Sequence, residues 1–106
     1  MPTYAVAVIR ETRFGPQVRE YLERIDATLA PHAGRFRIHG GPYRVLEGDW
    51  SGDLVVIEFP TRAQALAWYA SDAYRAIRPL REDNTDGTVF LVDAVPETHR
   101  APDILR

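Results

Sequence analysis

Neither cysteine nor lysine occurs among the 106 residues. The missing cysteine excludes disulfides, thiolate nucleophiles and cysteine-ligated zinc or iron–sulfur centres. The missing lysine excludes internal Schiff-base chemistry and the phosphate-binding lysine of a P-loop. Histidine is scarce, at 32, 39 and 99, and no two stand three or four residues apart, so no dedicated metal motif is expected. Serine occurs only at 51 and 71, outside any Gly-x-Ser-x-Gly elbow, and neither a dinucleotide fingerprint nor a glycine-rich phosphate loop occurs. We therefore expect neither a resident metal nor a cofactor. No run approaches the ~20 apolar residues that span a bilayer, and "MPTYAVAVIRE" carries no basic leader. The default expectation is a cytoplasmic protein with no membrane partner.

What remains is ordinary globular material: 45% apolar and 26% charged residues with a net charge of -2. All thirteen basic side chains are arginine, interspersed with acids, so no basic stripe can displace counterions from a phosphate backbone. Nucleic acid is not expected as a partner. A chain of this length forms one domain burying roughly two-thirds of the surface it exposes when unfolded.

Thr3 to Ile9 is a short apolar run with the length of a strand. Pro16 stands where a helix begins, and Val18, Tyr21, Leu22, Ile25 and Leu29 then recur on one helical face, which ends near residue 30 before Pro31 and Gly34. From Arg35 the period becomes two, with Phe36 and Ile38 on one side and Arg35, Arg37 and His39 on the other. "GGP" at 40 to 42 interrupts this strand, and extended character resumes from Tyr43 to Glu47, as in a bulged or broken strand. After the turn "EGDWSGD", Leu54 to Phe59 is a strand, and Pro60 stops it. Thr61 to Gln64 reads as a capping box opening a helix, with Ala63, Leu66, Ala67 and Ala70 as a narrow face of small residues. Ser71-Asp72 offers a second N-cap, followed by Tyr74, Ile77 and Leu80, with a kink expected at Pro79. Thr88 to Val95 closes the series as a strand, and "PETHRAPDILR" remains as a tail, loose or docked on a neighbour.

The order β-α-β-β-α-β is that of an α+β, ferredoxin-like fold: a four-stranded antiparallel sheet with two helices on one face. The other face would alternate to polar residues if it met water. It does not alternate, because Tyr4, Val6 and Val8 oppose Ala5, Ala7 and Ile9, and the later strands repeat the pattern. A bare apolar face of that size exceeds what monomers expose, so we expect a homodimer with sheets face to face, and weigh a hydrophobic ligand or other partner as the rival cover.

"HGGPYRVLEGDW" followed by "LVVIEFPTRAQALAWYASDAYRAIRPLRE" resembles the DUF1330 family within the dimeric α/β-barrel superfamily. The similarity spans roughly residues 3 to 95 and rests on Gly40-Gly41, Glu47-Gly48, Glu58-Phe59-Pro60, Trp68-Tyr69, Ser71 with Tyr74, and Arg81. It implies a ferredoxin-like domain over residues 1–95, a C-terminal tail over 96–106, and a dimeric α/β barrel. Relatives across the superfamily include cofactor-free monooxygenases, muconolactone-type isomerases, haem-dependent chlorite dismutases and polyketide cyclases. A shared fold transfers none of these activities.

Glu58 is a carboxylate on an otherwise apolar strand. Buried, it requires a partner or a raised pKa, so it is a candidate general base for an enolisable substrate, or else a structural partner of Arg37, of Arg81 or of a tyrosine. His39 is the one histidine on an expected strand and a candidate acid or base, since histidine ordinarily changes charge near neutral pH. Its alternation partners Arg35 and Arg37 instead suggest a polar edge strip, whose functional version is an arginine-lined pocket for an anion. Glu47 and Asp49 are better read as turn residues than as a carboxylate pair. Trp68, Tyr69 and Tyr74 do not share one helical stripe, so at least one is expected to point away from the core. They serve packing, or wall a cleft.

Two functions follow. In one, a cofactor-independent enzyme acts by proton transfer, isomerisation or oxygenation on a small aromatic or polyketide-like molecule. Glu58 and His39 move protons, Arg37 or Arg81 holds an anionic oxygen, and Trp68 and Tyr69 wall the ring. In the other, a dimeric module binds a small ligand or partner without catalysis, and the polar residues are structural pairs. A solvent-reached cleft lined by Glu58 or His39 separates the two.

Overall fold

The computed structural model describes residues 1–105. Four strands, β1 (Thr3–Thr12), β2 (Arg35–His39), β3 (Asp53–Phe59) and β4 (Thr85–Asp93), form one antiparallel sheet in the order β2-β3-β1-β4. Three helices, α1 (Pro16–Leu29), α2 (Arg62–Ala70) and α3 (Asp72–Glu82), supply the crossovers. This is the expected α+β, ferredoxin-like arrangement, with the second helical crossover divided in two.

The strands form where apolar and β-branched residues accumulate, and their register puts two rows of side chains on opposite faces. Thr3, Ala5, Ile57 and Phe59 are buried on the helix-covered face, joined there by the partly buried Val55, Leu91 and Phe36. Helix α1 presents Val18, Tyr21, Ile25 and Leu29 to them, as its spacing predicts, while Leu22, expected on the same stripe, is 44% exposed. The opposite row, Ile38, Val56, Val6 and Phe90, has no helix over it. Ile38, Phe90 and Val92 are 40%, 45% and 44% exposed, so the second apolar face lies open on the protomer.

Three expectations are corrected. First, β2 does not alternate regularly: its register against β3 shifts between Phe36 and Ile38. Arg37 is the extra residue of a bulge, so Ile38 opposes Val56 on the open face while His39 returns to the helix side and stacks on Phe36, ring centroids 4.6 Å apart. Strand β2 also ends at His39, and residues 40–52 form an exposed connection, not a resumed strand. Gly40, with φ of 78°, makes the exit turn that other residues resist.

Second, α2 buries Ala65 and Trp68, and Leu66 is exposed together with Ala63, Ala67 and Ala70. The large indole decides which side faces the sheet, because it offers far more area to remove from water than the alanines. Third, none of the three aromatics turns away. Ser71 adopts an extended conformation (φ −63°, ψ 148°) that ends α2, and its hydroxyl accepts from the Tyr74 amide to begin α3. This break reorients the chain so that Tyr74 lies 4.1 Å from Trp68 and 5.5 Å from Tyr69, centroid to centroid.

Ala33 takes the left-handed conformation that ends the short 3₁₀ turn Ala30–His32, leaving Gly34 for a different task. A Cβ at Gly34 would stand 2.6 Å from the Phe59 ring, so glycine there lets the strand close on the core. Beyond β4, Ala94 donates its amide to Pro2, and Ala101–Leu105 forms a further 3₁₀ turn with Ile104 and Leu105 exposed. No helix among the described residues is long and apolar enough to cross a membrane.

Candidate functional site

A cavity of about 250 Å³ lies between the helix-covered sheet face and α1 and α3. Its walls are apolar: Ala5, Ala7, Val55 and Ile57 from the sheet, Val18 and Ile25 from α1, with Trp68 behind them. Polar groups enter from two sides. His39 and Asp53 come from the β2–β3 half of the sheet, and Arg81 and Thr85 from the α3–β4 connection on the far side of β1. His39 and Phe14 are exposed as well as cavity-lining, which puts them at the rim. The volume exceeds the ~150 Å³ that houses benzene and falls just short of the ~300 Å³ at which drug-sized sites begin. A substituted single ring fits that interval.

Tyr21 from α1 and Tyr74 from α3 both line the cavity, and their hydroxyls meet at 2.7 Å across 53 residues of sequence. The rings meet edge to face at 6.1 Å. Burial, then the neighbouring Tyr74, push the Tyr21 phenol far above its ordinary value, with Arg81 pulling weakly the other way. Tyr21 is therefore a neutral hydroxyl across the physiological range. Burial disfavours the charged form of Arg81, and the oxygens of Tyr74 and Tyr21 outweigh it, so its pKa is raised and the guanidinium stays charged. Among the described residues no carboxylate pairs with Arg81. A half-buried cation faces an apolar cavity with the Tyr74 and Tyr21 hydroxyls beside it.

Trp68 is fixed as the back wall. Its indole N–H donates to Thr28 Oγ1 at 3.0 Å, and Thr28 in turn donates to the Ile25 carbonyl at 2.7 Å. Phe59 packs 5.4 Å away.

The structure brings His39, Trp68 and Arg81 to this cavity and separates the other candidates from it. Glu58 points to the open sheet face, between the inward Ile57 and Phe59, and its carboxylate pairs with Arg37 at 3.1 Å. Of its two expected counter-charges, the partner is Arg37; the bulge that turns His39 inward leaves Arg37 on the outer side with Glu58. Tyr69 packs against the core beneath the Arg78 guanidinium, 5.1 Å from its centroid, and borders a separate polar hollow shared with Arg81 and Glu82. Glu47 and Asp49 lie in the exposed connection. The sequence marks Tyr21 as a helix-face packing residue and Tyr74 as packing or a cleft wall, and the meeting of their hydroxyls depends on tertiary structure.

The sequence model of the family described as "Domain of unknown function (DUF1330)" matches residues 2–95. No curated protein matches the chain. Among solved structures, it is similar to a protein described as dimeric, ferredoxin-like and of unknown function from Jannaschia sp. CCS1, with 15% identity, a TM-score of 0.68, and coverage of 89% of this chain and 100% of that one. A protein of unknown function from Rhodopseudomonas palustris has 13% identity and a TM-score of 0.66 over 90% of this chain and 83% of its own. A cofactor-independent oxygenase from Streptomyces nogalater has 11% identity and a TM-score of 0.56 over 93% and 96%. At these identities the likeness is one of fold.

Proposed function

Because the chain belongs to the DUF1330 family, whose description assigns no activity, we propose from its own geometry that it binds a compact aromatic or polyketide-like ketone between helices and sheet and moves a proton on it. The observation that carries this is the apolar cavity with, on one side, an arginine that no carboxylate pairs among the described residues, and a histidine at its rim. Arg81 holds the substrate oxygen and Trp68 backs the ring. His39 takes a proton from the carbon beside the carbonyl. The C–H electron pair becomes the new C=C bond as the carbonyl π pair moves onto oxygen. Where the ketone carries a C=C bond between its β and γ carbons, return of the proton from His39 to the γ carbon moves that bond to the α,β position, restores the carbonyl and completes an isomerisation. Atoms and electrons balance with no co-reactant.

Assembly belongs to the same proposal. The open row Ile38, Val56, Val6 and Phe90 supports a homodimer packed sheet to sheet, as does the dimeric description of the Jannaschia protein. That face lies opposite the cavity, so each protomer keeps its own site.

The test combines a thermal-shift screen of single-ring acids and ketones with proton exchange. Ketones that stabilise the protein are incubated in D₂O, and deuterium at the enolisable carbon is followed by NMR. Exchange that His39→Gln abolishes, with binding retained, supports the enzyme. Binding with no exchange makes the protein a ligand-binding module, and no binding by any ring compound removes both.

A further inference from the structure

We infer that Tyr21, Tyr74 and Arg81 form a donor-only site for an anionic oxygen carried by the ring ligand, and that this triad sets the ligand's charge. The inference rests on the cavity being a ligand site, as proposed above, and adds two residues and a specificity to it.

It follows from counting protons. Two phenols bring two O–H groups, and the 2.7 Å contact between their oxygens consumes one of them, whichever tyrosine donates. The hydroxyl that accepts in that contact still carries its own proton. Among the described residues neither hydroxyl has another acceptor within hydrogen-bonding distance. The group beside them, Arg81, has up to five N–H donors and no acceptor, so it cannot take that proton. A cluster 2% exposed at Tyr74 and 8% at Tyr21 is thus left with a surplus donor and a net positive charge. A buried O–H without an acceptor is costly, and none of the described residues supplies one.

The missing component is an acceptor, and the positive charge specifies its sign. A carboxylate, or an enolate oxygen as it develops, would accept the surplus O–H and pair with the guanidinium. A neutral amide oxygen could accept hydrogen bonds from both but would leave the positive charge uncompensated. An ordered water would satisfy the hydroxyl and leave Arg81 without a counter-charge. The raised phenol value of Tyr21 agrees with this, since a tyrosinate there would cancel the charge that the ligand is to meet.

The test uses benzoate, its neutral isostere benzamide, and toluene as probes, titrated into the full chain by NMR or calorimetry. Benzoate is expected to bind at least about tenfold more tightly than benzamide, as charge-assisted hydrogen bonds require. The double variant Y21F/Y74F keeps both ring volumes and is expected to lose that preference while still binding toluene; R81Q is expected to lose it entirely. If Y21F/Y74F does not fold, the single variants Y21F and Y74F carry the test, and at least one must lose the preference about tenfold. Equal binding of benzoate and benzamide by the unaltered chain, or a preference that survives removal of both hydroxyls, overturns the inference and leaves the cavity's role intact. Failure of all three probes to bind removes the cavity as a ligand site and the inference with it.

Discussion

Replacing Ser71 by alanine removes the joint that places Tyr74 in the site. The Ser71 hydroxyl accepts from the Tyr74 amide at 3.2 Å and donates to the Trp68 carbonyl at 2.7 Å, so one atom caps the start of α3 and ties it to the end of α2. Losing an N-cap costs about 1 kcal/mol, and losing the second hydrogen bond costs about 1 kcal/mol more when its carbonyl is partly shielded from water. For a domain of this size each kcal/mol corresponds to roughly 4–8 °C in Tm. A fall of about 8–16 °C is therefore expected in thermal unfolding followed by circular dichroism at fixed protein concentration. Aspartate at the same position keeps the cap acceptor and loses only the donation, so Ser71→Asp should recover about half of the fall. Near-ultraviolet dichroism reports the contact of Tyr74 with Trp68, and benzoate affinity should weaken in Ser71→Ala at temperatures where the fold persists. A Tm within 2 °C of the unaltered protein, or Ser71→Asp no more stable than Ser71→Ala, would refute the assignment of this break as a capped joint.

Ala33→Gly relieves a left-handed alanine and should stabilise the protein by about 1 kcal/mol, measured by urea unfolding; a loss of stability would mean that the turn is not strained. Asp93 accepts from Thr3 at 2.6 Å and pairs with Arg62 at 3.1 Å, and the hydrogen bond first and the arginine second hold its carboxyl below the ordinary value of 3.8. Its folded pKa is depressed, so its contribution is full above that value and lost as pH falls through the lowered one. Thr3→Val should flatten the acid limb of stability below about pH 4, and an unchanged acid limb would contradict the contact. On the open face, Val56→Asp should convert a particle of twice 12.0 kDa into one of 12.0 kDa by light scattering at micromolar concentration. An unaltered chain that is already monomeric would sink the paired-sheet assembly.

The fold was legible because its signals are local. Proline at the start of α1, its i, i+3, i+4 stripe, the capping box at Thr61 and the second cap at Ser71 each depend on neighbours a few residues away, and each stands where expected. The two-faced sheet was legible for the same reason, since alternation failed in three strands at once. The site was less so. One extra residue in β2 reversed the face of His39, and a bulge leaves no mark in a run such as "RFRIH" that alternates perfectly by type. Arg37 and Arg81 were both visible as counter-charges for Glu58 or as holders of an anionic oxygen, and Arg37 took the first role because the same bulge kept it outside. The meeting of Tyr21 with Tyr74 joins helices 53 residues apart, and no spacing rule within either helix encodes it.

The most direct test of the cavity as the ligand site is a chemical-shift titration of the protein, labelled at valine, isoleucine and tryptophan, with benzoate. Saturable shifts at Val18, Ile25, Ile57 and the Trp68 indole, with Val56 and Val92 on the open face unmoved, are the predicted result. Shifts confined to Val56 and Val92, or none at millimolar benzoate, would contradict it.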